Sequence, residues 1–148
     1  MSVLTKDQLS ELLLKSNFHR FLNITVESIS ENTITLRLPF KEEFLAGASG
    51  THIHGGIIAS LIDIAGDFVF AAILGTALPT INMRVDYLSA GGREDLIASA
   101  HVIKLGRSVG ISDIVIANPE GKTIAIGRGL YSTAAAGKSS PPGEGKQG

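Results

Sequence analysis

The sequence contains no cysteine among its 148 residues. Disulfide bonds, thiolate metal ligands and a cysteine nucleophile are therefore excluded together. Positive charge is not in excess either, since 13 Lys and Arg residues stand against 14 Asp and Glu residues. Without a net positive field the chain cannot hold a phosphate backbone by counterion release, so we expect no nucleic-acid partner.

A targeting signal is also lacking at the start of the sequence. Met1–Asp7 does not have the basic and then apolar pattern of a signal peptide. The long apolar run in the middle of the chain contains Asp63 and Asp67 and is bounded by glycines, unlike a membrane span. We therefore expect a cytoplasmic protein that makes no contact with a membrane.

Hydrophobic residues make up 44% of the sequence and charged residues 18%. This composition is typical of a globular chain with apolar surface left for subunit contacts, and it favours a homo-oligomer. The stretch 134–148 is rich in small residues, proline and glycine, so it cannot bury enough apolar surface to offset its ordering entropy. We predict one domain over residues 1–133 and a disordered C-terminal tail over 134–148.

The order of local patterns predicts the fold class. Residues 5–16 combine a capping box with apolar residues at helical spacing, which predicts a short helix. Alternation of apolar and polar residues predicts a hairpin before an irregular loop at 39–51. After a long apolar helix, the same alternation predicts one further strand and then a meander of three long strands. The strands are predicted at 22–30, 33–38, 80–88, 95–105, 109–117 and 122–132. This order indicates an α+β domain in which one antiparallel sheet curls around a buried helix.

The longest apolar segment, Ile57–Leu74, follows a glycine-rich loop at His52–Gly56. A helix that is apolar on every face is normally buried. At roughly 100° per residue, Ser60, Asp63 and Asp67 nevertheless share one stripe of this helix. Burying an unpaired carboxylate costs several kcal/mol. The two aspartates are therefore either paired and structural, or candidates for chemistry.

Four motifs follow one another along the chain: His54-Gly55-Gly56, Leu61-Ile62-Asp63, Asp86-Tyr87-Leu88-Ser89 and Lys104-Leu105-Gly106-Arg107-Ser108. In this order they resemble the hotdog-fold acyl-CoA thioesterases, in particular the PaaI-like group related to the thioesterase of the phenylacetate pathway. The resemblance runs from about residue 18 to residue 132. It implies a hotdog fold, a curved antiparallel β-sheet wrapped around one long central helix.

The resemblance also implies catalytic roles. Asp63 is implied to be the nucleophile or the general base for water attack, and the Gly55 amide to polarise the thioester carbonyl. Thr80 is implied to hold the attacking water or the carboxylate, and His54 to shape the thioester pocket. The unpaired N–H groups of a helix N-terminus suit a developing oxyanion. Glycine at Gly55 and Gly56 lets a substrate approach the backbone closely.

Gly55 and Asp63 are too far apart on one helix to act on the same carbonyl. They are separated by about two turns, which is roughly 12 Å of helical rise. The resemblance implies dimers that pair their helices antiparallel, so that Gly55 of one chain faces Asp63 of the other. We therefore expect active sites at the interface of a homo-oligomer, either a dimer or a dimer of dimers.

Candidate substrate-binding residues lie outside the helix as well. Lys104, Arg107 and Ser108 cluster at a strand break, where cations suit the phosphates of coenzyme A, although a solvated turn has the same composition. Asp67 lies one helical turn from Asp63, and desolvated carboxylates at that spacing raise each other's proton affinity. Asp67 is expected either to line the acyl pocket or to pair with a cation such as Arg84 across the interface.

One position departs from the family pattern. Many relatives carry Asn or Gln seven residues before the first glycine of the motif, where this chain has Ala48. Ser49, Thr51 and His52 are the nearby residues that could replace that amide. A metal at His52 and His54 is not expected, because no third ligand is near in the sequence. We expect no metal and no cofactor, since coenzyme A is part of the substrate.

The function predicted from these observations is an acyl-CoA thioesterase that releases a free acid and coenzyme A. A non-catalytic acyl-CoA-binding module is the first alternative, and Asp63 argues against it. An acyl-thioester dehydratase or hydratase is the second, although the residues around His54 do not resemble its motif. The acyl group stays open, as does the choice between nucleophile and general base for Asp63.

Overall fold

The computed structural model describes residues 4–138, which form one antiparallel β-sheet packed on a long helix. The helices are α1 (Lys6–Leu13), α2 (Asn17–Leu22) and α3 (Gly55–Leu74). The strands are β1 (Thr25–Ser30), β2 (Thr33–Leu38), β3 (Leu45–Ala46), β4 (His52–Ile53), β5 (Thr80–Tyr87), β6 (Leu96–Leu105), β7 (Val109–Ala117) and β8 (Thr123–Ser132). Short 3₁₀ helices lie at Glu42–Phe44 and Ala134–Lys138.

Six strands form the main sheet in the order β1-β2-β6-β7-β8-β5, and every neighbouring pair is antiparallel. Helix α3 packs on one face of this sheet against five of its strands. The predicted hotdog architecture is therefore confirmed. Strands β6, β7 and β8 form the predicted meander, whereas β5 crosses to the edge beside β8.

Helix α3 forms the core because its apolar residues are buried under the sheet, Leu61, Ile62 and Phe70 among them. By length and by a mean hydropathy of 2.2, α3 could cross a membrane, but 61% of that segment is buried inside the fold. The helix ends at Leu74, and its C-cap Gly75 has a φ of 79°, in the left-handed region that favours glycine.

The start of α3 corrects the prediction of a glycine-rich loop. Gly55 and Gly56 are the first two residues of the helix, and His54 is its N-cap. The His54 side chain accepts a hydrogen bond from the backbone N–H of Gly56, so the cap is satisfied by a ring nitrogen rather than by the usual hydroxyl or carboxylate. The histidine therefore allows the helix to begin two residues earlier than its apolar run.

The N-terminal region holds one helix more than predicted. The capping box at Thr5 is present, but α1 ends at Leu13 rather than at Ser16. Ser16 then caps α2, which ends where Asn23 takes a left-handed φ of 61°. The predicted strand from Leu22 is wrong at its start, because Leu22 is buried as the last residue of α2.

The segment predicted as a loop at 39–51 lies against the start of α3. The N–H of His54 donates to the carbonyl oxygen of Phe44 at 2.8 Å, and the Phe44 side chain is fully buried. Strands β3 and β4 pair with each other beside this contact. Of the predicted tail, residues 134–138 form the second 3₁₀ helix, and 139–148 lie outside the described residues.

Candidate active site

The first turn of α3 presents a free backbone donor. The N–H of Gly56 donates to Nδ1 of His54 at 2.8 Å, and the N–H of Ile57 donates to the His54 carbonyl oxygen at 3.0 Å. No acceptor within residues 4–138 contacts the N–H of Gly55. Because the N-terminus of a helix carries positive dipole potential, this amide is suited to bind an oxyanion.

Tyr87 holds the peptide group between Gly55 and Gly56. Its hydroxyl donates to the Gly55 carbonyl oxygen at 2.7 Å. A Cβ on Gly55 would lie 3.2 Å from the ring and hydroxyl of Tyr87, so the absence of a side chain leaves space for this contact. A cavity of about 320 Å³ opens beside these two residues and is also lined by His52, Ile58 and Ser89.

The second part of the site surrounds Asp63, in the middle of α3. The hydroxyl of Thr80 donates to Asp63 Oδ1 at 2.8 Å. The hydroxyl of Tyr131 lies 3.0 Å from the Asp63 carbonyl oxygen and 3.4 Å from Oδ1. Asp63 forms no ion pair with any residue from 4 to 138. Its carboxylate is therefore held by hydroxyl groups alone, which leaves it free to act as a base or nucleophile.

Asp67 lies one turn further along the same stripe of α3. Its Oδ1 accepts the backbone N–H of Leu78 at 2.7 Å. Burial raises the pKa of Asp67 to about 7, the hydrogen bond from Leu78 opposes this, and the nearby charge of Asp63 adds to it. Ser60 completes the stripe, and its hydroxyl donates within the helix to the Gly56 carbonyl oxygen at 2.8 Å.

The two parts of the site lie at opposite ends of β5. Tyr87, the last residue of β5, contacts Gly55, whereas Thr80, the first residue of β5, contacts Asp63. Helix α3 and β5 therefore run antiparallel, with the amide donor of Gly55 beside the last residue of β5 and the carboxylate of Asp63 beside its first residue. Within one chain the structure does not bring Gly55 and Asp63 together.

The predicted coenzyme A residues lie at the end of β6 and in the exposed turn that follows it, at the Asp63 end of the sheet. Strand register places Thr80 opposite Tyr131, and Tyr131 opposite Gly110, just after the turn between β6 and β7. Lys104, Arg107 and Ser108 are exposed there. Neither Lys104 nor Arg107 pairs with an acidic residue in the described part of the chain, so both cations are available to a ligand.

Arg84 does not contact Asp67 within the chain. It pairs with Asp86 at 3.2 Å, on the sheet face opposite to α3. The next charged pair across this outer face is Arg128 with Asp113, joined by two hydrogen bonds of 2.6 and 2.9 Å. A cavity of about 410 Å³ lies among these side chains, but none of the predicted catalytic residues lines it.

The region around Ala48, the position that departs from the family pattern, is exposed. Ala48 lies in the turn between β3 and β4, and its side chain faces solvent. Ser49 and Thr51 are joined by a long contact of 3.4 Å, and Thr51 contacts Nδ1 of His52 at the same distance. Among residues 4–138, no group of three or more His, Cys, Asp or Glu side chains is placed to hold a metal ion.

The sequence matches the family model described as the thioesterase superfamily over residues 50–125. This range includes Gly55, Asp63 and Thr80 together with the turn after β6. The chain belongs to the thioesterase superfamily.

Individual relatives agree with this family. The chain is 35% identical over 122 residues to VNG_1336C of Halobacterium salinarum, whose name gives esterase as its supposed activity, covering 75% of this chain and 80% of that protein. It is 33% identical over 116 residues to human acyl-coenzyme A thioesterase 13, covering 76% of this chain and 81% of the relative. These relatives support a thioester hydrolase, and the PaaI-like group is confirmed by a solved structure.

That structure is the PaaI protein of Escherichia coli from the phenylacetic acid degradation operon. It superimposes on this chain with a TM-score of 0.72 at 27% identity, covering 86% of this chain and 97% of PaaI. The central helix and the sheet of this superfamily member are thus those of the group that the motifs indicated.

Two tyrosines of the candidate site were not predicted from the sequence. Tyr87 was part of a family motif, but only the fold shows that its hydroxyl reaches Gly55. Tyr131 gave no signal beyond the alternation of β8, because its contact with Asp63 joins residues 68 positions apart. The glycine at Gly66 was a signal that could have been used, since a glycine inside a core helix normally has a packing reason.

Proposed function

We propose that the protein is an acyl-CoA thioesterase in which Asp63 drives hydrolysis of the thioester. The observation that carries the proposal is the Asp63 carboxylate on the core helix, which accepts a hydrogen bond from Thr80 and has no cationic partner within residues 4–138. A buried helix gains nothing in packing from such a carboxylate. Its presence on a partly exposed stripe therefore supports a chemical role.

Two reaction routes fit this geometry. As a general base, Asp63 takes a proton from water while the water oxygen bonds to the carbonyl carbon; the tetrahedral intermediate then expels the thiolate of coenzyme A. As a nucleophile, a carboxylate oxygen of Asp63 attacks the carbonyl carbon and expels the thiolate, and water hydrolyses the resulting anhydride. In both routes the Gly55 amide donates to the oxygen that becomes negative, and such a donor contributes about 100- to 1000-fold in rate.

The site is completed by a second copy of the chain. Strand β5 is at the edge of the sheet and pairs with β8 on one side only. Its side chains include exposed hydrophobic residues, with Ile81 51%, Met83 38% and Tyr87 53% exposed. A long edge strand with apolar side chains is a template for pairing with another chain.

Antiparallel pairing of β5 with β5 of a second copy would solve the separation of the two groups. It places the Thr80 end of one strand beside the Tyr87 end of the other. Because Asp63 lies at the Thr80 end and Gly55 at the Tyr87 end, Asp63 of one subunit then faces Gly55 of the partner subunit. A dimer built in this way contains two equivalent sites.

The remaining parts of the substrate are assigned by charge and position. Lys104, Arg107 and Ser108 are exposed at the Asp63 end of the sheet and are proposed to bind the phosphates of coenzyme A. The cavity beside Gly55 is proposed to hold the part of the substrate next to the thioester. His54 fixes this region by capping the helix, and the absence of a side chain at Gly56 leaves space for the His54 ring.

The test is release of free coenzyme A from short, medium and aryl acyl-CoA thioesters by the native chain and by Asp63→Asn. Loss of the acid-base or nucleophilic group is expected to lower kcat/KM by at least about a hundredfold. Asp7→Asn is the matched control, because Asp7 is an exposed aspartate in the first turn of α1, remote from the site. This control is expected to keep native activity.

Two results would contradict the proposal. Hydrolysis by Asp63→Asn at the native rate would exclude Asp63 from the chemistry. Tight binding of acyl-CoA without any release of coenzyme A by the native chain would identify a non-catalytic binding module, with Ala48 as the first residue to restore to Asn.

A further inference from the structure

We propose that Tyr131 is a positioning residue for the Asp63 carboxylate. The inference rests on the proposed function of Asp63. The Tyr131 side chain is fully buried, and its hydroxyl lies 3.0 Å from the Asp63 carbonyl oxygen and 3.4 Å from Asp63 Oδ1. Asp63 is the residue whose atoms accept from this hydroxyl in the described part of the chain. Rotation about the C–O bond of the tyrosine directs the hydroxyl hydrogen to one oxygen or the other.

Two glycines make space for the hydroxyl end of the ring. A Cβ on Gly66 would lie 2.3 Å from the Tyr131 hydroxyl oxygen, and a Cβ on Gly129 would lie 2.5 Å from the same atom. Glycine inside a helix is unfavourable relative to alanine, so Gly66 in the middle of α3 requires a packing reason. The contact of Tyr131 with the helix provides that reason.

The electrostatic environment keeps Tyr131 as a donor. Burial raises the pKa of Tyr131 far above its ordinary value, and the charges of Asp63 and Asp67 act in the same direction. These two aspartates, both on α3, are the ionisable groups that act on this hydroxyl within residues 4–138. A protonated hydroxyl stabilises the ionised form of a carboxylate by hydrogen bonding. Together with Thr80 it also restricts the rotation of the Asp63 side chain.

If Tyr131 only anchored α3 to the sheet, its contacts would be the same, and the fold offers a matched control for such a structural role. The Ser112 hydroxyl is fully buried on β7 and donates to the Gly66 carbonyl oxygen at 3.0 Å. Like Tyr131, it joins α3 to the sheet through a buried hydroxyl. Unlike Tyr131, it does not contact Asp63. Ser112→Ala therefore removes a helix anchor without removing a contact of the carboxylate.

The experiment compares Tyr131→Phe with Ser112→Ala in acyl-CoA hydrolysis. Phenylalanine keeps the buried ring and removes only the hydroxyl. We expect kcat to fall about tenfold, with KM within about twofold of native, since the change affects the chemical step rather than binding. Ser112→Ala is expected to keep the native kcat and the native KM.

A second readout does not depend on turnover. Protein labelled with ¹³C at the aspartate side-chain carboxyl is examined by NMR, and the Asp63 signal is the one missing from Asp63→Asn. Its chemical shift is expected to change in Tyr131→Phe and not in Ser112→Ala, because only the first variant removes a hydroxyl that contacts the carboxylate. Equal behaviour of the two variants in both readouts overturns the inference while leaving the proposed function intact. If the native chain hydrolyses no thioester, the proposed function fails, and the chemical shift alone decides whether Tyr131 acts on the Asp63 carboxylate.

Discussion

At the scale of single residues, Asp63 and Asp67 differ although they lie one helical turn apart on the same helix. Asp63 is contacted by two hydroxyl groups, from Thr80 and Tyr131. Asp67 accepts one backbone N–H, and burial raises its pKa to about 7. Environment rather than residue type therefore separates the two carboxyl groups.

The raised pKa of Asp67 predicts a dependence of stability on pH. The Asp67 carboxyl titrates at its ordinary pKa of 3.8 in the unfolded chain and near 7 in the folded chain. Between these values the unfolded chain has lost a proton that the folded chain keeps, so the free energy of unfolding falls as pH rises from about 4 to about 7. Asp67→Asn cannot titrate and keeps an acceptor for the N–H of Leu78. In this variant the fall in the free energy of unfolding is expected to be smaller by about 2 kcal/mol. This figure is lower than the full difference between the two pKa values implies, because Asp67 is partly exposed.

Urea unfolding at pH 4.5, 6 and 8, at one fixed protein concentration, measures the difference. Glu11→Gln is the control, because Glu11 is an exposed carboxyl on α1 and is expected to follow the native curve. Parallel curves for Asp67→Asn and the native chain would show that Asp67 does not hold its proton in the folded state.

At the scale of elements, α1 is stabilised by both its cap and its buried face. Thr5 Oγ1 accepts the N–H of Gln8 at 3.2 Å, and Gln8 Oε1 accepts the N–H of Thr5 at 2.9 Å. Leu9 and Leu13 are fully buried on the other side of the helix. The element therefore covers one part of the core and is independent of the candidate site.

Thr5→Ala removes one side of the capping box and is expected to lower the free energy of unfolding by about 1 kcal/mol. Ser10→Ala removes another α1 hydroxyl, which donates within the helix to the Lys6 carbonyl oxygen, and is expected to have little effect. Chemical denaturation of both variants tests the comparison, and coenzyme A release should be unchanged in both. A loss of activity in Thr5→Ala at native stability would contradict the separation of α1 from the site.

At the scale of the whole molecule, the exposed edge of β5 connects oligomer formation with catalysis. The donor at Gly55 and the carboxylate at Asp63 lie at opposite ends of this strand. The proposed reaction needs both groups at one carbonyl, so it needs the partner subunit. A chain that is a stable monomer at working concentration would contradict the shared site.

Met83→Glu places a charge in the proposed interface. Because burying an unpaired carboxylate is unfavourable, this variant is expected to shift toward the monomer and to lose most of its coenzyme A release. Leu14→Glu is the control, since Leu14 at the end of α1 is 43% exposed and Met83 is 38% exposed. Light scattering with size-exclusion chromatography measures the mass, and the same fractions are assayed. A monomeric Met83→Glu with native activity would show that one chain contains the full site.

Local patterns in the sequence determined much of this protein. Apolar residues along Ile57–Leu74 predicted the core helix, because a segment without a polar face must be buried. Period-two alternation predicted β2 and the four long strands β5 to β8 at nearly their true bounds, and the capping box predicted the start of α1. The motif around His54 and Asp63 identified the family before any contact was known.

Tertiary structure decided what depends on residues far apart in the chain. Alternation shows which face of a strand is apolar but not which strand is its neighbour, so the place of β5 beside β8 came only from the fold. Helix α2 was missed because its start and end depend on the side chain of Ser16 and the left-handed backbone of Asn23. The pairing of Thr80 and Tyr131 with Asp63 likewise required packing of β5 and β8 on α3, since hydrogen bonds between distant residues leave no periodic pattern in the sequence.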